Sequence, residues 1–151
     1  MNIKWRCRYF DELTPSELYD IFQLRNDVFV VEQQCVFQDA DGVDKQCYHL
    51  SGYDGDTLVA YTRLIAPGIT YPEASIGRVA NARAYRGMGI GKELMQRAIQ
   101  QCRQLFGDVP IMIGAQLYLK KFYRELGFNP VGEVYLEDNI PHIHMNLLPG
   151  G

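Results

Sequence analysis

A glycine-rich segment in the middle of the chain limits most strongly what this chain can fold into. Residues 86–91 read RGMGIG, with an apolar run before them at 73–82 and a helical pattern after them. Glycines this dense cost backbone entropy, so the backbone here must turn tightly or come close to another molecule. The segment opens a helix, where unpaired N–H groups and the positive end of the helix dipole favour a phosphate. Arg86 and Lys92 flank it with positive charge.

Two common phosphate-binding motifs do not fit this segment. A Walker loop, G-x-x-x-x-G-K-[ST], needs glycine at position 86 and serine or threonine at position 93, where the chain has Arg86 and Glu93. The dinucleotide motif G-x-G-x-x-G fails as well, because the spacing here is G-x-G-x-G. A phosphate-loop kinase or ATPase is therefore disfavoured. A tight strand-to-helix turn that needs glycine for its own geometry remains the alternative.

The hydrophobic pattern along the rest of the chain predicts strands and helices in one domain, residues 1–151. Thr14 and Glu17 form a capping box that begins a helix running to about Val31. Antiparallel strands followed by strand–helix–strand units indicate a mixed sheet with helices on its faces. Helices are also predicted at 90–106 and 117–126, and strands at 3–9, 47–53, 57–66, 73–82, 109–116, 128–135 and 141–147.

Composition and charge disfavour several classes of protein. The chain is 47% hydrophobic, and its formal net charge of -3 argues against a general nucleic-acid binder. No apolar run approaches the roughly 18 residues of a membrane span, and the first residues lack the apolar core of a signal peptide. The four cysteines (Cys7, Cys35, Cys47 and Cys102) show no C-x-x-C spacing, so we expect buried, reduced thiols in a cytoplasmic protein.

Two motifs together give the chain a specific resemblance. Arg86, Gly89 and Gly91 form the pattern R-x-x-G-x-G, and FYRELGF (122–128) follows after a predicted helix and strand. The first resembles the acetyl-CoA diphosphate loop of the GCN5-related N-acetyltransferases (GNAT), and the second resembles the tyrosine motif of that family. Four further segments resemble its ElaA-type branch: RNDVFVVEQQC (25–35), DADGVD (39–44), AQLYLKKFY (115–123) and EDNIPHIHM (137–145).

The resemblance implies both a fold and a co-substrate. The fold is of the α/β class, with a central mixed, mostly antiparallel sheet of six to seven strands flanked by about four helices. The co-substrate is acetyl-CoA, with no metal. Gln116 stands where many members have asparagine, and it keeps the amide that would bind the pantetheine arm. The residues implied to bind acetyl-CoA are Val79, Ala80, Asn81, Arg86, Gly87, Met88, Gly89, Ile90, Gly91, Lys92, Gln116, Phe122 and Tyr123.

Tyr123 is the predicted general acid. Acetyl transfer to an amine releases a thiolate that must be protonated, and a phenol stays protonated at neutral pH. The resemblance also implies that main-chain groups of Val79, Ala80 and Asn81 open away from the neighbouring strand and polarise the thioester carbonyl. The plainer interpretation of Tyr123 is a core tyrosine on an amphipathic helix, since the chain has ten tyrosines.

The general base is left open among three residues and a chain of water molecules. Many GNAT members place a glutamate on the strand before the glycine loop, but SIGRVANA (75–82) has no carboxylate. Glu32 lies at the end of the first predicted helix, which in this fold faces the acceptor. His142 and His144 alternate on the last strand and so point to the same face. The alternatives are a solvated helix end for Glu32 and simple filling of a sheet face for the histidines.

Two weaker patterns concern metals and the acceptor. Cys47-x-His49 and His142-x-His144 each put two ligand types on one strand face, but no further metal-ligand spacing accompanies them. Asp39, Asp41 and Asp44, with Glu137 and Asp138, would attract cationic amines if they lined the entrance for the acceptor. The alternative for these acidic residues is an ordinary solvated loop.

The resulting functional prediction is an acetyl-CoA-dependent N-acetyltransferase that acts on a primary amine of a small molecule or peptide. A non-catalytic acyl-CoA-binding sensor of the same fold is the alternative, although Tyr123 would have no purpose in a sensor. Neither nucleic acid nor membrane is an expected partner. The sequence leaves the acceptor, the physiological acyl group and the choice between monomer and homodimer open.

Overall fold

A seven-stranded sheet forms the centre of the structure, a computed structural model that describes residues 2–150. The strands lie in the order β1-β2-β3-β4-β5-β7-β6. Neighbouring strands are antiparallel, except that β4 and β5 are parallel. Their bounds are β1 Ile3–Tyr9, β2 Tyr48–Asp54, β3 Thr57–Ile65, β4 Ala74–Asn81, β5 Ile111–Gln116, β6 Asn129–Glu137 and β7 Ile140–Leu147.

The first helix changes character halfway along the segment predicted as one helix. Helix α1 (Pro15–Arg25) begins at the predicted capping box, in which Thr14 Oγ1 accepts from the Glu17 N–H at 3.1 Å and Glu17 Oε1 accepts from the Thr14 N–H at 3.0 Å. A π-helical segment (Asn26–Glu32) then continues it. The wider turns begin directly after Arg25, whose guanidinium is fully buried and bound by carboxylates outside the helix.

The second and third helices follow the glycine pattern. Helix α2 (Ile90–Phe106) begins after Gly89, which has φ 79°, and ends before Gly107, which has φ 87°. These left-handed angles strongly favour glycine at both ends. Helix α3 (Lys120–Glu125) is shorter than predicted, because residues 117–119 form a 3₁₀ turn before it.

The core lies on both faces of the sheet. Leu94, Ala98 and Cys102 of α2 are buried in one cluster with Val59 of β3. A second cluster joins Ile21 and Leu24 of α1 to Leu58 and Tyr61 of β3. Because successive strand residues point to opposite faces, Leu58 and Val59 place α1 and α2 on opposite sides of the sheet.

The predicted fold class is confirmed. The described residues form a mixed sheet of seven strands with three α-helices and the π-helical continuation of α1, as the resemblance implies. Within residues 2–150, no helix combines the length and the apolar character needed to cross a membrane. All four cysteines are free; Cys47 and Cys102 are buried as predicted, whereas Cys7 and Cys35 are partly exposed.

Candidate functional site

A cleft of about 620 Å³ opens where the two parallel strands separate. β4 and β5 pair only at their first residues, Ala74 with Ile111 and Ser75 with Met112. Beyond Ser75 their main-chain groups face each other across the cleft instead of bonding in a ladder. The strand residues that line it are Ile76, Gly77, Arg78, Val79 and Asn81 of β4 and Ile113, Gly114 and Gln116 of β5.

A β-bulge shapes the β4 side of this cleft. Tyr61 pairs with Ala80 and Arg63 with Gly77, so Arg78 and Val79 both lie opposite a single residue of β3, Thr62. The Thr62 hydroxyl donates to the Gly77 carbonyl at 2.7 Å. Arg78 adopts φ 50°, an uncommon conformation for a residue with a side chain. Bulges of this kind redirect a strand and are frequent beside active sites.

The three glycines of residues 86–91 serve two different purposes. Gly87 and Gly89 have φ 82° and 79°, so the turn itself demands glycine there, as the tight-turn alternative predicts. Apart from the adjoining residues, no atom lies within 4 Å of a Cβ built at either position, so their backbone is also open to approach. A Cβ at Gly91 would lie 3.2 Å from Asn81 Nδ2, so glycine here allows close contact between α2 and the end of β4.

The end of β4 carries an unsatisfied acceptor. Asn81 Oδ1 is buried and has no hydrogen-bond partner among the described residues. Asn81 lines the cleft next to Gly91, the second residue of α2, where the first-turn N–H groups have no partner inside the helix. Buried polar atoms are nearly always hydrogen-bonded, so this corner fits a ligand that supplies a donor as well as an anion.

Arg86 is engaged by the protein itself. Its Nη1 lies 2.8 Å from Glu32 Oε2, and its Nε and Nη2 donate to the Asn81 carbonyl at 3.3 and 3.0 Å. The Arg86 side chain is 43% exposed, and this residue lines the cleft together with Glu32. One cation therefore joins the π-helical segment, the end of β4 and the start of the glycine loop.

Tyr123 lies on the wall that α3 contributes to the cleft. It is buried, and its ring makes edge-to-face contacts with Phe122 and Phe128 at centroid distances of 5.2 and 6.0 Å. Its hydroxyl makes no hydrogen bond with another residue between 2 and 150. Burial raises the pKa of Tyr123 above the ordinary phenol value, so the group stays protonated at neutral pH.

The cofactor-binding residues predicted from the sequence divide into two sets. Those that line the cleft are Val79, Asn81, Arg86, Gly91, Gln116, Phe122 and Tyr123. Among the others, Ala80 is buried against α1, and the Ile90 side chain lies in the core beside α2 residues. Both can therefore offer a ligand only main-chain groups. Gly87, Met88, Gly89 and Lys92 lie between or beside the lining residues Arg86 and Gly91.

Of the three candidate bases, His142 has the most suitable surroundings. It is buried in the cleft wall, and its Nδ1–H donates to the Ile140 carbonyl at 2.7 Å. This bond leaves Nε2 as the acceptor of the neutral ring, 3.5 Å from Glu137 Oε2. Glu32 lines the cleft but is paired with Arg86. His144 is stacked on Tyr135 at 4.5 Å and is not among the lining residues.

The prediction that Asp39, Asp41 and Asp44 line the acceptor entrance was wrong. Arg25 binds Asp39 at 2.7 Å and Asp44 at 2.6 Å, Arg63 binds Asp41 at 2.7 Å, and Arg78 binds Asp39 at 2.9 Å. Asp39 and Asp44 are buried, so the solvated-loop alternative fails for them as well. Three arginines neutralise these three aspartates, so residues 39–44 offer no unpaired carboxylate to an acceptor. Glu137 and Asp138 do line the cleft.

Several lining residues escaped the sequence interpretation. Cys35 and Phe37 lie on one rim, and the Cys35 thiol donates to the Asp138 carbonyl at 3.5 Å on the opposite rim. Tyr118 and Phe29 add aromatic surface. No local pattern marks these residues, because the contact joins segments that are distant in the sequence.

Cys47 and His49, one of the two pairs that suggested metal ligands, make hydrogen bonds within the protein instead. The Cys47 thiol donates to the Val43 carbonyl at 3.2 Å. The Tyr61 hydroxyl donates to His49 Nδ1 at 2.6 Å, and His49 Nε2–H donates to the Asp44 carbonyl at 2.9 Å. In the part of the chain that the structure describes, no three histidine, cysteine or acidic residues are grouped to hold a metal ion.

The fold and the cleft define an acyltransferase architecture, and comparison with known families agrees. Residues 23–149 match the family described as the acetyltransferase (GNAT) domain. The chain therefore belongs to the GNAT acetyltransferase family.

Similar proteins place it close to the ElaA-type branch. Protein ElaA from Escherichia coli is 43% identical over 145 residues, which are 95% of both chains. The crystal structure of Escherichia coli ElaA superposes with a TM-score of 0.91 over 97% of this chain and 99% of that one. The crystal structure of an acyl-CoA N-acyltransferase from Pseudomonas aeruginosa gives a TM-score of 0.93 at 43% identity, with 97% and 99% covered. The resemblance predicted from the sequence is confirmed.

Proposed function

We propose that residues 1–151 form a single acetyltransferase domain that transfers an acetyl group from acetyl-CoA directly to a primary amine of a small molecule or peptide. The observation that supports this most is the separation of β4 from β5 after Ser75, which opens a cleft between the glycine loop and His142. One end of the cleft fits an anion and the other offers a proton acceptor. The chain is similar to an acyl-CoA N-acyltransferase over nearly its whole length.

The residues at the glycine end fit a coenzyme A thioester. The free N–H groups at the start of α2 suit a diphosphate, and the open backbone at Gly87 and Gly89 lets it approach. Asn81 Oδ1 lacks a donor, and an amide N–H of the pantetheine arm would supply one. Gln116 lines the cleft on β5 and offers a second amide. The thioester supplies an acetyl carbonyl that is activated towards attack by an amine.

Three groups of this chain carry out the proposed reaction. Main-chain N–H groups of β4 after the bulge, at Val79 and its neighbours, polarise the carbonyl. His142 Nε2 takes the proton from the ammonium form of the acceptor, so that the amine nitrogen can form the new N–C bond. Tyr123 donates a proton to the sulfur as the C–S bond breaks. The second proton that the nitrogen loses as the amide forms passes through water to the phenolate and restores the phenol, and His142 releases the first proton to solvent.

His142 suits the base better than Glu32 or His144. The Ile140 carbonyl fixes its tautomer, so Nε2 carries the lone pair of the neutral ring, 3.5 Å from Oε2 of the lining residue Glu137. Glu32 would first have to leave Arg86. His144 lies outside the cleft lining.

The acceptor end favours a cationic amine. Glu137 and Asp138 line it, and their carboxylates would attract an ammonium group. Aromatic side chains of Phe29, Phe37 and Tyr118 line the same cleft and would contact an apolar part of the acceptor. Free thiols at all four cysteines support a cytoplasmic location for the enzyme.

Thiol release from acetyl-CoA tests the proposal. The purified protein is mixed with acetyl-CoA and with polyamines, aminoglycosides, amino-acid amides or peptide N-termini, and free coenzyme A is measured with a thiol reagent. We expect at least one cationic amine to accelerate release and to be recovered as its N-acetyl product. Tight binding of acetyl-CoA without release for any amine would indicate the sensor instead. Size-exclusion chromatography of the same preparation distinguishes monomer from homodimer.

A further inference from the structure

A strained residue lies in the β4 wall of the cleft. Arg78 has φ 50°, and among the non-glycine residues that the structure describes with positive φ, it alone lies inside a strand. Gln34, Asp138 and Asn139 have similar angles but occupy turns. A side chain at such an angle crowds its own main chain, and the conformation persists only where the surroundings hold it.

The side chain of Arg78 is itself fixed by hydrogen bonds to a single residue. Its Nε donates to Asp39 Oδ1 at 2.9 Å, and its Nη2 donates to the Asp39 main-chain carbonyl at 3.2 Å. Two bonds to one residue fix the direction of the guanidinium. Phe37 lies against its other side, with the ring centroid 5.8 Å from the guanidinium carbon.

Asp39 is itself rigidly anchored. It is buried, and the fully buried Arg25 binds its carboxylate through Nε at 2.7 Å and its carbonyl through Nη2 at 3.1 Å. Asp44 connects Arg25 with Arg63, and Asp41 connects Arg63 with Arg78. The six charged side chains therefore form a closed network between α1, residues 39–44 and the strands β3 and β4.

Stability alone does not explain this network. Desolvation of buried charges offsets most of their mutual attraction, so apolar side chains of the same size would stabilise the fold about as well. The ion pairs instead fix the position and direction of the Arg78 side chain. The strained residue lies directly before Val79, at the point where β4 has already left β5.

We propose that Asp39, acting through Arg78, is a positioning residue for acetyl transfer. Its ion pair with Arg78 holds the left-handed backbone at position 78 and thereby directs the main-chain N–H groups of Val79 and Asn81 into the cleft, while Ala80 between them pairs with Tyr61 of β3. The inference rests on the proposed function for its kinetic part only, since the direction of the main chain can be observed without turnover.

Two substitutions at position 78 separate the backbone from the side chain. Arg78→Ala removes the ion pair and keeps a Cβ that disfavours positive φ, whereas Arg78→Gly removes the ion pair but adopts positive φ freely. Both variants leave Asp39 paired with Arg25, so both are expected to fold. Arg97→Ala is the control, because Arg97 makes an exposed ion pair with Glu93 on α2, outside the cleft.

The measurements are kcat with a saturating amine, the Kd of coenzyme A, and amide chemical shifts of residues 79–81. We expect Arg78→Ala to lower kcat 10- to 100-fold and to move these amide signals, with the Kd of coenzyme A within about threefold of the unchanged protein. Arg78→Gly should recover at least a tenth of the kcat that Arg78→Ala loses. Its amide signals should return towards their positions in the unchanged protein. Arg97→Ala should change none of them.

Two results would overturn the proposal. If Arg78→Ala keeps both kcat and the amide signals, the ion pair does not position the strand. If Arg78→Gly is as impaired as Arg78→Ala in both readouts, the side chain acts directly and not through the backbone. If the unchanged protein transfers no acetyl group to any amine, the proposed function fails, and the amide signals of the two variants still decide the positioning role.

Discussion

Glu32 Oε2 lies 2.8 Å from Arg86 Nη1, so a candidate base and a candidate phosphate ligand are bound to each other. The same guanidinium donates to the carbonyl of Asn81. The ion pair spans the cleft from the π-helical segment to the glycine loop. Both charges are therefore engaged in holding the walls of the cleft.

Replacement of Glu32 by glutamine is expected to have a small effect on turnover. The carboxylate already serves Arg86, so kcat for Glu32→Gln should stay within about threefold. Because Arg86 is 43% exposed, we expect the pair to contribute only ~0.2–1 kcal/mol to the free energy of unfolding. Steady-state kinetics and denaturant unfolding of Glu32→Gln, Arg86→Gln and the double variant measure both quantities. A hundredfold loss of kcat would restore Glu32 as the base.

Replacement of His142 is expected to lower turnover strongly. Loss of a positioned proton acceptor typically costs about 10²–10⁴ in rate, so His142→Gln should lower kcat by that factor. The acetyl-CoA Kd should change little, because the glycine loop is untouched. His144→Gln is the matched control on the same strand face, and near-normal kcat is expected for it. Equal losses in both variants would contradict the assignment of the base to His142.

Removal of one hydroxyl tests the general acid. Tyr123→Phe keeps the ring between Phe122 and Phe128 and so should preserve folding and the affinity for acetyl-CoA. We expect kcat to fall about 10²–10⁴-fold with a thioester donor. Tyr118→Phe, which alters an exposed tyrosine of the same wall, should retain activity. Unchanged turnover in Tyr123→Phe would make this residue a structural core tyrosine.

The glycine loop is tested at Gly89. Alanine at φ 79° is strained by about 1–2 kcal/mol, and relief of this strain would move the N–H groups at the start of α2. Gly89→Ala is therefore expected to weaken coenzyme A binding about tenfold or more, as measured by calorimetry. Gly68→Ala carries a similar strain at φ 89° in a loop outside the cleft. It should lower the melting temperature comparably and leave the Kd unchanged; a parallel change in Kd would contradict the predicted role of residues 86–91.

Stability should decline as the solution becomes acidic. Burial lowers the pKa of His49 below its ordinary value of about 6.5, so the folded state binds fewer protons there than the unfolded state. The contribution of neutral His49 is therefore complete above about pH 6.5 and is lost progressively below it, by at most about 1.4 kcal/mol per pH unit. Melting temperatures of the protein and of His49→Gln between pH 8 and pH 5 check this. The variant should show the flatter slope, and identical slopes would exclude His49 as the cause.

The stability of the fold is expected to decline a second time at lower pH. Burial acts to raise the pKa of Asp44, but hydrogen bonds and charge from Arg25 and Arg63 outweigh it, and the pKa lies below the ordinary carboxyl value. A depressed carboxyl pKa contributes stability above the unfolded value of about 3.9, and this contribution disappears as the pH falls further. The same melting series continued to pH 3 follows it.

Most secondary structure could be predicted because its causes are local. The capping box at Thr14 and the left-handed glycines at 89 and 107 define α1 and α2, and α2 occupies its predicted bounds. Alternating and continuous apolar runs placed all seven strands to within about two residues. The π-helical segment escaped prediction, because its side chains keep a helical hydrophobic spacing while the buried ion pairs of Arg25 depend on distant residues.

Only part of the site could be predicted from the sequence. The glycine loop, Gln116 and Tyr123 belong to motifs, and residues from each of these three line the cleft. The partners of the charged residues belong to no motif. DADGVD (39–44) has the composition of a solvated loop, and only the proximity of Arg25, Arg63 and Arg78 converts it into a neutral network.

The sequence by itself determined where the backbone turns, where helices begin and end, and which family the chain resembles, because those properties depend on φ angles and on neighbours a few residues away. The tertiary structure alone decided that Glu32 holds Arg86, that Asp39 holds Arg78 and that His142 and Tyr123 line the same cleft. Charge pairing and hydrogen-bond direction act over a few ångströms in space. Which groups come that close is set by the order and separation of the strands, and no local pattern encodes it.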